Sequence, residues 1–171
     1  LVDVTNFFTL DLGRPLHVFD ADKVAGGRLI FRAGDGENFR ALNGKDYTAT
    51  VDDCVIADAN GVQSLAGVIG GEATGCDENT TSVFLECALF NPVSVALTGR
   101  RHQVISDARQ RFERGIDPAL LPDAVEAATR MIQHLCGGEA SEVVSAGGEP
   151  AWQRTASLRF ARLRDFGGLE V

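Results

Sequence analysis

The hydrophobic pattern changes period twice along the chain. From Asp3 to Leu12 the apolar residues Val4, Phe7, Phe8 and Leu12 fall at helical spacing, which predicts a short amphipathic helix capped by Asp3 and ended by Gly13 in a left-handed turn. Pro15 breaks that pattern, so His17 in "RPLHVF" is expected on an irregular segment before a turn opened by Asp20. The middle third reads as β structure: "RLIFRAG", "NFRAL", "DYTATV", "CVIAD" and "VQSLAGV" are short runs separated by turn residues. Asn43-Gly44 and Asn60-Gly61 predict tight hairpins within it. A long glycine-rich connection, "GVIGGEATGCDENTTS", follows, and its length suits a loop lining a site better than a simple reversal.

The next run, "SVFLECALF" at residues 82–90, looks like a buried strand yet carries Glu86 at its centre. An ionised carboxylate removed from water costs several kcal/mol unless it is paired or hydrogen-bonded. Glu86 therefore needs a partner, and the nearby arginines are the structural candidates. Beyond it the helical period returns. Asn91 followed by Pro92 is an N-cap with proline at the first helical position, opening a helix through about Arg101. Val125, Ala128, Ile132 and Leu135 predict a second, with Pro122 in its first turn and Gly137-Gly138 closing it. The resulting class is mixed α/β. Residues 1–138 form the domain, 139–154 a linker, and 155–171 the start of something new.

Composition narrows the function classes. With 171 residues and 44% hydrophobic content, the chain can build one sizeable core and a fragment more. It opens on Leu1, which suggests a piece of a longer polypeptide. The absence of a long apolar span or a signal-like start predicts a soluble, cytoplasmic protein. The four cysteines show no C-x-x-C pair and no metal-site spacing, so reduced, mostly buried thiols are expected, with Cys54 and Cys87 in the core. A net charge of −8 argues against a broad nucleic-acid-gripping face. The exception is "RRHQVISDARQRFERG", where five arginines face Asp107 and Glu113, a pattern that a solvated helix with internal ion pairs also explains.

Other chemistry is weaker. The glycines of "GVIGG" match neither a P-loop nor a dinucleotide fingerprint and signal close backbone approach. Ser106 with His17 or His102 could be drawn into a triad, but no G-x-S-x-G elbow is present, and Ser106 reads more simply as an N-cap. His102 and His134 read as ordinary helix residues.

Taken together, "DVTNFFTLDLGRPLHVFDADKVAGG", "AGVIGG", "VFLECALFNPVSV" and "RRHQVISDARQRFERGIDP" resemble, in unbroken order, the editing domain of the beta subunit of bacterial phenylalanine–tRNA ligase. The resemblance runs from about residue 2 to residue 138. A shorter match from about Thr155 resembles the first strand and helix of that subunit's next, nucleic-acid-binding-like domain. The resemblance implies mixed and antiparallel sheets flanked by helices, with the domain here truncated at its N-terminus. It further implies hydrolysis of tyrosine misattached to tRNA(Phe), and assembly with an alpha subunit into a heterotetramer of two alpha and two beta chains. The tRNA(Phe) 3′ end would be the partner at the site, and no membrane is involved. ATP and magnesium would serve the whole ligase, with no cofactor or metal in this fragment.

Residue by residue, Glu86 stands where the family's "LECA" glutamate binds the tyrosyl hydroxyl. His17 stands at the histidine near the ester, while Thr5 and Asn6 match the polar "VTN" start. Gly70 matches a glycine walling the pocket, and Ala108 a small residue that keeps it open. Ser106 stands where the family has a catalytic-site threonine, and Ile105 where it has histidine; weakened editing, or a mainly structural and tRNA-binding module, is the alternative these two changes support. Arg14 replaces the usual glutamine and is expected to add positive charge where the tRNA end enters.

Overall fold

The computed structural model of the chain describes residues 1–148, 153 and 155–170. Helix α1 spans Val2–Asp11, with Leu1 rather than Asp3 at its N-cap. Gly13 adopts φ +62° and lets the Arg14 N–H reach back to Phe8 O at 3.1 Å, closing the helix as its glycine predicted. The chain then enters β1, His17–Asp20, directly. The irregular segment expected around His17 is a strand because β8, Val83–Glu86, supplies an antiparallel partner far downstream, from Glu86 opposite His17 to Val83 opposite Asp20, that no local signal reveals.

The central sheet has four antiparallel strands in the order β2 (Ile30–Ala33), β5 (Cys54–Asp58), β6 (Gly61–Leu65), β7 (Ile69–Gly70). Both predicted hairpins form. Asn43-Gly44 turns β3 (Glu37–Arg40) into β4 (Asp46–Ala49), with Gly44 at φ +73°, and Asn60-Gly61 turns β5 into β6. The glycine-rich connection is not all loop: its start folds back as β7, pairing Gly70 with Ser64, and Gly71 bridges to Ala41. A Cβ on Gly71 would lie 2.6 Å from Gln63 O, which is why this bridge needs glycine.

Three helices close the domain: α2 (Pro92–Arg101), α3 (Asp107–Phe112) and α4 (Leu121–Cys136). Asn91 caps α2 by accepting from the N–H groups of Val93 and Ser94, as its Asn-Pro signature predicted. The main core joins Phe39, Val55 and Leu65 of the sheets and Val68 of the β6–β7 turn to Val95, Val104 and Phe112 of the helical side. A second cluster packs Val4, Phe8 and Leu16 on Ala128, Met131 and Ile132 of α4, with Leu85 and Cys87 of the β8 region between them. The fold is thus mixed α+β with antiparallel sheets flanked by helices.

Residues 139–148 are exposed and carry no helix or strand; residues 149–152 and 154 of the linker expected from the sequence lie outside the described residues. Beyond it, α5 spans Phe160–Gly167, while 155–159 form no strand. Among the described residues, no helix is long and apolar enough to cross a membrane.

Candidate functional site

The pairing of β1 with β8 sets His17 directly opposite Glu86. Between these strands and the helical side runs a cleft of about 70 Å³, lined among others by Gly70, Phe90, Ala108 and Phe112. Four residues singled out from the sequence, His17, Gly70, Glu86 and Ala108, therefore meet here although they come from β1, β7, β8 and α3. The volume is well below the roughly 300 Å³ at which pockets begin to engulf whole small molecules, so the cleft suits the end of one side chain.

Glu86 is partly buried and enters no ion pair or side-chain hydrogen bond among the described residues. Burial pushes its carboxyl up to about 7, against the opposing pull of the Arg14 guanidinium. The arginine cluster supplies no partner: Arg109 pairs with Glu113 at 3.0 Å, Arg111 with Asp107 at 3.2 Å, Arg114 with Glu113 at 3.3 Å and Arg101 with Asp53, while Arg100 is exposed. His17 is driven the other way, burial lowering its pKa to about 4, so its ring is neutral near pH 7. Its edge packs on Phe19 with ring centroids 4.4 Å apart. Gly70 abuts the ring itself: a Cβ there would lie 2.6 Å from His17 Cε1 and 2.9 Å from Nε2. The glycine is required by the histidine.

The other predicted site residues lie outside this cleft. Thr5 is buried in α1 with its hydroxyl donating to Val2 O at 2.8 Å, and Asn6 is exposed on the same helix. Ser106 caps α3, accepting from Arg109 N–H at 3.1 Å while donating to Val68 O at 2.7 Å, next to the cleft's Gly67–Gly70 wall. Arg14 is not at an entrance. It is fully buried, donating from Nε and Nη2 to Cys87 Sγ at 3.3 Å.

A second polar centre went unforeseen. Asp53, 1% exposed, accepts from Thr50 N–H and Oγ1 (both 2.9 Å), Thr98 Oγ1 (2.9 Å), Arg101 and His102 (2.9 Å). Burial alone would raise its pKa, but the hydrogen bonds from His102, Thr50 and Thr98 outweigh that and hold it at about 2. The signal was present: Thr98, Arg101 and His102 share one face of α2 at spacings of three and four, converging on a common acceptor. A larger polar cavity, of about 320 Å³, lies near Asn38, Arg40, Asn60 and Gln63 and is lined by none of the candidate site residues His17, Glu86, Thr5, Asn6, Gly70, Ser106 or Ala108.

Residues 1–137 match the B3/4 domain. The chain belongs to the B3/4 domain family. Over all 171 residues the chain is 57% identical to the phenylalanine–tRNA ligase beta subunit of Gluconobacter oxydans, and likewise 57% identical to that of Paramagnetospirillum magneticum. The corresponding subunit of Mesorhizobium japonicum is 52% identical. The resemblance drawn from the four motifs is thus borne out over the whole chain, which spans 21% of the length of each of these relatives. Among solved structures, an N-terminal fragment of the phenylalanyl-tRNA synthetase beta subunit from Pyrococcus horikoshii aligns with 49% of this chain and 32% of its own, at 19% identity and a TM-score of 0.42.

Proposed function

We propose that this B3/4 domain is the editing segment of a phenylalanine–tRNA ligase beta subunit, and that its cleft hydrolyses tyrosyl-tRNA(Phe) while sparing phenylalanyl-tRNA(Phe). The observation that carries this reading is the unpaired Glu86 carboxylate set opposite a neutral His17 in a small, largely apolar cleft. An apolar wall with one free acceptor discriminates by hydroxyl. Tyrosine would donate its phenolic O–H to Glu86, whereas phenylalanine would bury the carboxylate with no donor, at a cost of about 1–3 kcal/mol or more for a charged group.

In this reading the aromatic ring enters between Phe90, Phe112 and Ala108, and the ester and terminal ribose remain outside, as the small volume requires. A water attacks the ester carbonyl, the bond to the ribose oxygen breaks, and free tyrosine and uncharged tRNA leave. A histidine with a pKa near 4 is a poor proton acceptor at neutral pH, so His17 orients water or the ester by hydrogen bonding. The alpha subunit, tRNA(Phe) and the cytoplasm complete the setting, with ATP and magnesium used in charging by the whole ligase.

The test compares hydrolysis of tyrosyl-tRNA(Phe) and phenylalanyl-tRNA(Phe) by the beta subunit assembled with its alpha partner, as wild type and as Glu86→Ala. Loss of tyrosine alone, with the preference collapsing in the variant, is the expected result. Equal background loss of both esters from folded wild-type enzyme would sink the editing reading and leave a structural module, the role favoured by Ser106's commitment to Val68 O and Arg109 N–H.

A further inference from the structure

Arg14 is the one fully buried cation among the described residues, and its immediate contacts do not neutralise it. Its guanidinium donates to Cys87 Sγ through Nε and Nη2 and to Ala88 O through Nη2, while the buried Nη1 has no partner among the described residues. A thiol and a carbonyl are dipoles, not counter-ions. A full charge held this way costs several kcal/mol unless a carboxylate balances it from nearby. Cys87 and Ala88 immediately follow Glu86, which is itself short of partners. Two opposite charges are therefore held near one another without forming a contact ion pair.

That separation has a chemical use. A direct salt bridge would occupy the carboxylate oxygens and leave none for a ligand. A guanidinium clamped to the two residues beyond Glu86 favours ionisation through space and leaves those oxygens free. We propose that Arg14 is the positioning counter-charge of Glu86: it favours the ionised form of the carboxylate without occupying its oxygens, and so sets the pH range in which the cleft reads a phenolic hydroxyl.

The other groups around Glu86 do not take this role. Across the strand pair, His17 is neutral in the working range. On β8's own continuation, burial pushes the Cys87 thiol upward, away from ionisation. From α4 the side chains packed on this cluster are Ala128, Met131 and Ile132, all uncharged. Asp20 and Lys23 pair with each other, and Asp20 lies opposite Val83 at the far end of the ladder. From α3, Ala108 lines the cleft, while Asp107 and Arg109 are paired elsewhere.

The inference rests on the editing reading given above, and the experiment separates the two. The ratio of tyrosyl to phenylalanyl ester hydrolysis is followed from about pH 5.5 to about pH 8.5 with the assembled ligase as wild type, Arg14→Gln, Arg14→Lys and Glu86→Gln. Wild type should gain preference for the tyrosyl ester as pH rises, and Glu86→Gln should lose that dependence. Removing the positive charge leaves burial unopposed, so Arg14→Gln should move the midpoint upward by about one pH unit and lower the preference about fivefold near neutrality. Arg14→Lys keeps the charge and should keep the midpoint within a few tenths of a unit while lowering thermal stability through loss of the fork onto Cys87.

An unmoved midpoint in Arg14→Gln, with wild type selective, overturns the role of Arg14 alone. A midpoint that moves as far in Arg14→Lys as in Arg14→Gln overturns it too, by tracing the shift to lost packing; where Arg14→Gln fails to assemble, a one-unit shift in Arg14→Lys does the same. A wild type without tyrosyl preference at any pH overturns the editing reading and this inference with it.

Discussion

Asp53 and Glu86 are both carboxylates withdrawn from bulk water, yet they are treated in opposite ways. Asp53 receives donors from Thr50, Thr98, Arg101 and His102 and is held at about 2. Glu86 receives none from a side chain and is pushed up to about 7. The first is a completed network that ties α2 to the start of β5. The second is an incomplete one: the nearby Arg14 is committed to Cys87 and Ala88 rather than to the carboxylate, and part of the group reaches the cleft. Burial alone does not mark a functional acid; the number of partners it has been left without does.

The largest effect that tests this contrast is Asp53→Ala. Removing the acceptor leaves Arg101, His102 and Thr98 facing an empty site, and chemical denaturation should show a loss of about 3–5 kcal/mol. A loss below about 1 kcal/mol would break the comparison at its structural end. The pH dependence has a definite sign: Asp53's folded pKa is depressed, so its contribution is present above the ordinary carboxylate range and is lost as pH falls from about 4 toward about 2.

Glu86→Gln should act in the opposite direction. Because its folded pKa is raised above 4.5, the native state of wild type binds the extra proton, and stability falls as pH rises from about 4.5 to about 7. Above pH 7 the amide variant should be the more stable by about 2 kcal/mol, less than the full shift implies because the carboxylate also meets the cleft's solvent. Thermal denaturation near pH 8 and near pH 4.5 should show that advantage at the first value and none at the second. An advantage of equal size at both would trace it to packing.

Smaller again is Gly70→Ala, whose Cβ would press on His17 and on Leu42 Cδ1 at 3.1 Å. Overpacking of this kind costs about 1–2 kcal/mol, and displacement of the ring should reduce tyrosyl ester hydrolysis at least tenfold. Hydrolysis within twofold of wild type would show that the His17 ring position is immaterial. The smallest expected effect is Thr98→Val, which deletes one of Asp53's several donors: about 1 kcal/mol by denaturation, with the tyrosyl preference intact. A loss as large as that of Asp53→Ala would mean that the network acts through this one bond.

Local chemistry made much of the fold legible. Asn91 and Pro92 announced α2, the Asn-Gly pairs announced two hairpins, and the three- and four-residue repeat announced α4. Glu86 stood out because its neighbours are apolar. What stayed illegible was non-local. "RPLHVF" looked irregular because its partner strand lies far down the chain, and Arg14 looked like surface charge because nothing near it in sequence shows that Cys87 and Ala88 will enclose it. Asp53 was one acid among many until α2 delivered three donors to it.

The sequence by itself determined which residues could form helices, strands and turns, and it singled out one acid in an apolar run. Those features depend on neighbours a few positions away, where periodicity and capping act. Tertiary structure alone decided that His17 faces Glu86, that Gly70 must lack a side chain, and that Arg14 rather than the arginine-rich helices is held on the two residues that follow the acid. Register between distant strands and the burial of a charge are set by how surfaces pack, and packing is a property of the whole chain.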